Sequence, residues 1–173
     1  RSPAQAARLP ARIDADGNMV LLEDQDRNLW DQSLVTLGFR ELEKSAEGDE
    51  ITSYHVQAAL ASVHAMAKDD SSTDWPSVLS LYDQLLALSP SPIIALNRVV
   101  AVAKVLGAEE ALRELDLLEN ENTLKTYYLF YAVRGRLLKL MGAHEAAAAS
   151  FQQALQCPCS EPERKFLQNM LTL

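Results

Sequence analysis

Cysteine is nearly absent. The 173 residues hold two, Cys157 and Cys159, with one proline between them. A single short pair does not read as a disulfide framework, and a chain of this length buries about 70% of its unfolded surface without one. A reducing, cytoplasmic setting is the simpler expectation. Glycine is also scarce, at six residues, and aromatics make up only 6%. Ala and Leu dominate instead, which favours helices over strands. No apolar run approaches the ~18 residues of a membrane span, and no secretory leader is visible. Positive charge is in deficit: 16 Lys and Arg stand against 24 Asp and Glu, a net charge of −8. Such a chain repels phosphate backbones, so direct nucleic-acid binding is not expected. Residues 14–50 hold eleven of the acids and three of the bases. The first residue is Arg1 rather than Met, and a fragment or processed product is expected.

Hydrophobic spacing predicts an all-α protein. Residues 3–8 read as the frayed end of a helix stopped by Pro10. Residues 11–22 read as a short hairpin or an extended loop around Asp16-Gly17. From Asp26 the spacing turns helical through Trp30, Leu34, Leu37, Phe39 and Leu42, until Gly48-Asp49-Glu50 breaks it. Thr52 or Ser53 caps a second helix carrying Val56, Leu60 and Val63. Asp74 with Pro76, and Ser91 with Pro92, open two more. Residues 93–106 are apolar almost all round, as in a buried central helix. Helices over 108–119, 123–141 and 143–156 follow, and Ser160 to Glu163 reads as a capping box for a last helix.

The glycines separate similar pieces. Lys104-Val-Leu-Gly-Ala-Glu-Glu-Ala111 matches Lys139-Leu-Met-Gly-Ala-His-Glu-Ala146 at an offset of 35. Tyr82 and Leu86 lie 69 residues before Phe151 and Leu155, about two such steps. Helix pairs repeating every ~34 residues mark tetratricopeptide-type arrays, in which stacked pairs bury a core that one pair cannot. The expected fold is an antiparallel helix-hairpin array, a tetratricopeptide-like right-handed superhelix of seven or eight helices. Residues 1–50 form an N-terminal segment and residues 51–173 the repeats with a capping helix. Gly107 and Gly142 are expected at positive φ.

Motifs for catalysis are weak. His144-Glu145 opens a zinc-like pattern without its second histidine. His55 and His64 are nine residues apart, which places them on opposite faces of a helix and apart as metal ligands; one reads as a core histidine. Asp14-x-Asp16-Gly17-Asn18 has its glycine too early for a calcium loop, and Gln25 stands where the bidentate acid belongs. Neither a phosphate-binding glycine loop nor a nucleophile elbow is present. No enzyme activity and no cofactor are expected.

The densest polar and aromatic cluster is Asp24, Gln25, Asp26, Arg27, Asn28, Leu29, Trp30 and Asp31. One reading is structural: Asp24 or Asp26 caps a helix, Trp30 anchors it in the core and Arg27 meets a nearby carboxylate. The other is a docking surface, since Trp and Arg are favoured hot-spot residues. Further along, Asn97 and Arg98, with Arg134 and Arg136, suit a groove for an acidic ligand. An interhelical hydrogen bond is the structural alternative for Asn97.

From Arg8 to the end, the sequence resembles the C-terminal portion of extracytoplasmic-function RNA polymerase sigma factors that carry a long helical extension. The carriers are Gly17-Asn-Met-Val-Leu-Leu22, Asp24-Gln-Asp-Arg27 with Trp30-Asp31, Tyr54-x-x-Gln57-Ala58-Ala59, Val63-His64-Ala65, Asp74-Trp75 and Leu81-Tyr82-Asp83. Pro90-Ser-Pro92, Leu96-Asn-Arg98 and Glu163-Arg164-x-Phe166-Leu167 complete the series. The resemblance implies a tetratricopeptide-like extension that regulates a sigma factor in cis. Its implied partners are the sigma factor's own N-terminal regions and the polymerase core. The regions that read promoter DNA are absent from this sequence, so neither DNA nor a membrane is an expected partner. The alternative is a free-standing adaptor whose helical surface binds an external peptide or protein.

Overall fold

The computed structural model describes residues 6–45 and 52–172. Residues 3–5 of the expected N-terminal helix end, the break at Gly48-Asp49-Glu50 and the boundary at residue 50 lie outside the described residues, as do the side chains of Phe39 and Leu42. Among the described residues the protein is all-α: nine helices, no strand, and one isolated antiparallel bridge between Ile13 and Met19. They are α1 Gln32–Ser45, α2 Ser53–Met66, α3 Trp75–Leu88, α4 Pro92–Leu106, α5 Ala108–Leu117, α6 Asn122–Lys125, α7 Tyr128–Leu140, α8 His144–Gln156 and α9 Glu161–Thr172. They group into two compact units, Arg1–Ser89 and Pro90–Leu173.

The first unit opens with local hydrogen-bond chemistry. The last helical residue of the N-terminal stretch is Ala6, and Pro10 sits inside a 3-10 turn, Leu9–Ala11, early enough that its missing N–H is harmless. Residues 12–20 then double back as a tight loop. Val20 N–H donates to the Arg12 carbonyl at 2.8 Å, and Gly17 takes φ +78° at the tip. The Asp14 carboxylate accepts from the backbone N–H of Asp16 and Asn18 and from the Asn18 side chain, so the loop itself uses the oxygens that a calcium reading would need.

Helix α1 starts at Gln32, six residues later than the spacing predicts. The cause is Asp31, whose carboxylate accepts Ser33 N–H at 2.9 Å and Leu34 N–H at 3.1 Å and so fixes the first turn there. Trp30, just outside, is extended. Helix α2 is capped by Thr52, whose N–H donates to His55 Nδ1 at 2.9 Å; a histidine fills the place usually held by Glu or Gln. Asp74 caps α3 by accepting Ser77 N–H at 3.1 Å, with Pro76 in the first turn as expected.

In the second unit, the single helix expected over 123–141 is two. Thr126 and Tyr127 leave the helical region between α6 and α7. A β-branched residue followed by two tyrosines favours helix weakly, and the break lets Leu124, 1% exposed, pack on α4 through α6. Helix α4 is not buried all round. Leu96, Val99, Ala101 and Val102 are in the core, while Val100, Val105 and Leu106 are exposed. At the C-terminus, Glu163 reaches back to Ser160 N–H at 2.7 Å and also accepts the Ser160 hydroxyl at 2.8 Å. Its other oxygen accepts the Tyr128 hydroxyl of α7 at 2.7 Å. Burial alone would raise the Glu163 carboxyl, but the bonds from Tyr128 and Ser160 outweigh it and hold the group below its usual value. Replacing Tyr128 by phenylalanine is expected to cost about 1 kcal/mol and to speed amide exchange in α9. The same anchorage is present above the ordinary Glu range and is lost as pH falls through the lowered value, which the exchange rates of α9 report.

The repeats are present, with a register the sequence match does not show. Gly107 links α4 to α5 at φ +95°, and Gly142 links α7 to α8 at φ +77°. The buried positions of α5, Ala111 and Leu115, correspond to Ala147 and Phe151 of α8, 36 residues on; Ala146, the sequence partner of Ala111, is exposed. The slip arises in the links. Helix α5 starts directly after Gly107, whereas Ala143 intervenes before α8. Within the first unit, α3 carries the buried Val78, 33 residues before Ala111 in sequence, and the half-buried Tyr82, 33 before Leu115. A Cβ at Gly107 or Gly142 would meet nothing within 4 Å, so alanine at either is expected to cost about 1 kcal/mol through backbone conformation alone. At Gly135 a Cβ would lie 2.8 Å from the buried Phe151 ring. Gly135→Ala is therefore expected to cost more, about 1–3 kcal/mol by overpacking. Urea denaturation of the three variants gives the ranking.

Candidate functional site

The Asp24–Asp31 segment folds as a loop around one 3-10 turn, Arg27–Leu29. Its acids face out. Asp24, Asp26 and Asp31 are exposed, with Asp26 accepting the Asn28 backbone N–H at 2.9 Å and Asp31 capping α1. Gln25, Arg27 and Trp30 turn inward. Gln25 Nε2 donates to the Val20 carbonyl at 3.1 Å. Trp30 is 4% exposed and sits against Ala7, Ala11 and Val35, with Leu22, Leu34 and Ala65 packed around it. Asp31 N–H, donating to the Ala7 carbonyl at 2.9 Å, ties the two segments together.

Arg27 meets helix carbonyls rather than the expected carboxylate. Its Nη1 donates to the His64 carbonyl and, at 3.4 Å, to that of Ala67; its Nη2 donates to Thr73 Oγ1 at 3.3 Å. The last turn of a helix leaves carbonyls without intrahelical partners and carries the negative end of the dipole, so a guanidinium there satisfies both. The same guanidinium lies 5.1 Å from the Trp30 ring centroid, and that of Arg8 lies 5.5 Å from it. Both distances are within cation–π range. His64, 7% exposed, meets Trp75 edge to face at 5.4 Å, and Trp75 Nε1 donates to the Asp70 carbonyl at 3.2 Å.

Burial dominates the electrostatics. It lowers the His64 pKa to about 4, helped by the fields of Arg8 and Arg27 and opposed by Asp70. Burial, then the charges of Arg12 and Arg27, brings Arg8 down to about 10. Arg27 is lowered by burial as well, against Asp70 and Asp69. His64 is thus a neutral ring held near two cations.

Asn97 and Arg98 lie half-buried on α4, in the other unit. Arg98 pairs with Glu114 of α5, and Arg134 of α7 pairs with Asp116 at 3.1 Å and Glu119 at 3.3 Å. These cations already have acidic partners inside the unit. Cys157 and Cys159 are free thiols; the buried Cys157 donates weakly to the Gln153 carbonyl at 3.6 Å, and burial first, then Cys159, pushes its thiol up. Among the described residues no group of three or more His, Cys, Asp or Glu converges as a metal site. No described helix is long and apolar enough to cross a membrane.

The structure adds Arg8, Thr73 and the ring contact of Trp75 to the cluster. Arg8 looked like part of a frayed helix end, and its only signal was a charge set among alanines.

Residues 4–46 match a family described as a family of unknown function, DUF6596. The chain is similar to an uncharacterized protein of Rhizobium meliloti (strain 1021), 37% identical over 167 residues, which is 96% of this chain and 39% of the relative. The chain therefore spans well under half of the relative's length. No solved structure matches.

Proposed function

We propose that this chain is the C-terminal regulatory and protein-interaction module of an extracytoplasmic-function sigma factor, acting in cis on transcription initiation. The sequence resemblance from Arg8 to the end supports the reading, and helix-hairpin repeats suit a scaffold that grips other polypeptide. The observation that carries the interaction part is a set of exposed apolar side chains recurring with the repeat. Val105 and Leu106 precede Gly107, Leu140 and Met141 precede Gly142, and Leu106 and Leu140 are 58% and 74% exposed. Matching positions of two hairpins thus present apolar residues to solvent, as interaction surfaces do. The acidic 14–50 stretch adds charge complementary to a basic partner. The adaptor reading needs free cations in the groove, and the ion pairs of Arg98 and Arg134 weigh against it.

The test removes these 173 residues from the parent protein and measures promoter output with reconstituted polymerase. In parallel, the isolated chain is titrated with the parent's remaining N-terminal half. Binding that Leu106→Asp with Leu140→Asp weakens, and an output changed by the truncation, are the expected results. Unchanged output with no binding would sink the proposal.

A further inference from the structure

We infer that the first unit holds a binding site for a small oxyanion of the phosphate or carboxylate class, built by Arg8, Arg27, Trp30 and His64. This goes beyond the proposed function and does not depend on it. The two guanidiniums lie 5.5 and 5.1 Å from one indole ring, and neither makes an ion pair with a carboxylate among the described residues. Among the described residues three N–H donors of this cluster make no hydrogen bond, Arg8 Nε, Arg27 Nε and Trp30 Nε1, and one acceptor of the same segment, Gln25 Oε1, is unbonded as well. Arg27 and Trp30 are more than nine-tenths buried. His64 Nδ1, on a ring equally buried, makes no hydrogen bond among the described residues either. Buried donors are almost always satisfied, and desolvated cations almost always meet an anion. Here the acids whose fields reach the cluster, Asp69 and Asp70, act on Arg27, and Asp70 also acts on His64; among the described residues the charges that act on Arg8 are those of Arg12 and Arg27, both cationic, opposed by Tyr82. Arg8 is only half-buried, which leaves a way in from solvent. An oxyanion matches the set because its several lone pairs accept from guanidinium and indole N–H groups together.

The experiment measures thermal unfolding of the full chain at constant ionic strength in chloride, phosphate and acetate, with two-dimensional NMR of the indole N–H groups. Phosphate or acetate is expected to raise the midpoint by a few degrees over chloride, since a ligand of the folded state stabilises it by mass action. The stronger of the two names the class. The Trp30 indole resonance moves with added anion, while that of Trp75, already bonded to Asp70, stays. Arg8→Met keeps the apolar stem on the ring and removes the charge. It is expected to be at least as stable as wild type in chloride and to lose the anion response, whereas Arg8→Lys retains part of it. No oxyanion-specific rise in wild type, an equal rise in Arg8→Met, or a Trp30 resonance indifferent to anion would overturn the inference.

Discussion

Trp30→Ala is expected to destabilise the protein by about 3–5 kcal/mol, the range for deleting a large buried aromatic side chain. The ring is 4% exposed and touches three segments that are distant in sequence: Ala7 and Ala11, Val35, and Ala65 of α2. Its loss leaves a cavity and removes the surface on which Arg8 and Arg27 lie. Phenylalanine should restore much of the loss by refilling the space. Urea denaturation followed by circular dichroism and by the remaining Trp75 fluorescence measures both variants. A change under about 1 kcal/mol for the alanine variant would contradict the packing described.

Acidification should produce the second large effect. His64 titrates at about 4 in the folded state against an ordinary 6.5, because burial and then two nearby arginines oppose its charge. Between those values the unfolded chain binds more protons than the folded one, so stability rises with pH across the window and falls as pH drops from about 6.5 towards 4. The full loss is about 3 kcal/mol. The groups facing His64 are Arg8, Arg27 and Asp70, with the Trp75 ring against it. Asp69 and Asp74 are also held below their ordinary value by hydrogen bonds, from Ser71 and Ser72 and from Ser77, so they weaken the fold only at lower pH. His64→Leu is expected to flatten the dependence between pH 4 and 6.5. Both tryptophans, Trp30 and Trp75, adjoin this histidine's cluster, so fluorescence-detected unfolding reports on it directly. A wild-type profile as flat as the variant's would remove His64 as the cause.

What could be read in the sequence was local. The Ala and Leu content and the apolar spacing indicate helices. Asp74 with Pro76, Pro92 in a first turn, and the two linking glycines announce their roles because each acts on backbone within four residues. The start of α1 escaped that reading: an apolar stripe through Trp30 looks the same whether the tryptophan is on the helix or ahead of it, and only the Asp31 cap decides. The break at Thr126 and Tyr127 was hidden for a similar reason, since Leu124 fits the stripe of one long helix and of two short ones. Asp24 or Asp26 could be read as a capping acid, and Asp26 caps the 3-10 turn. The inward cluster could not, because Arg27 meets a carbonyl 37 residues away and Arg8 meets Trp30 through a fold that no periodicity encodes.

The mismatch between glycine spacing and burial spacing bears on how this array could be re-engineered. A hairpin duplicated or transplanted by cutting at Gly107 and Gly142 would carry 35 residues, one short of the interval from Ala111 to Ala147. Rotating a helix by one residue turns its apolar stripe about 100° away from the neighbour it should meet. Grafts designed on the matched pair Ala111 and Ala147 keep each second helix facing inward, with the linker adjusted to suit. Grafts designed on the repeated Lys-x-x-Gly-Ala string would assemble with one seam exposed.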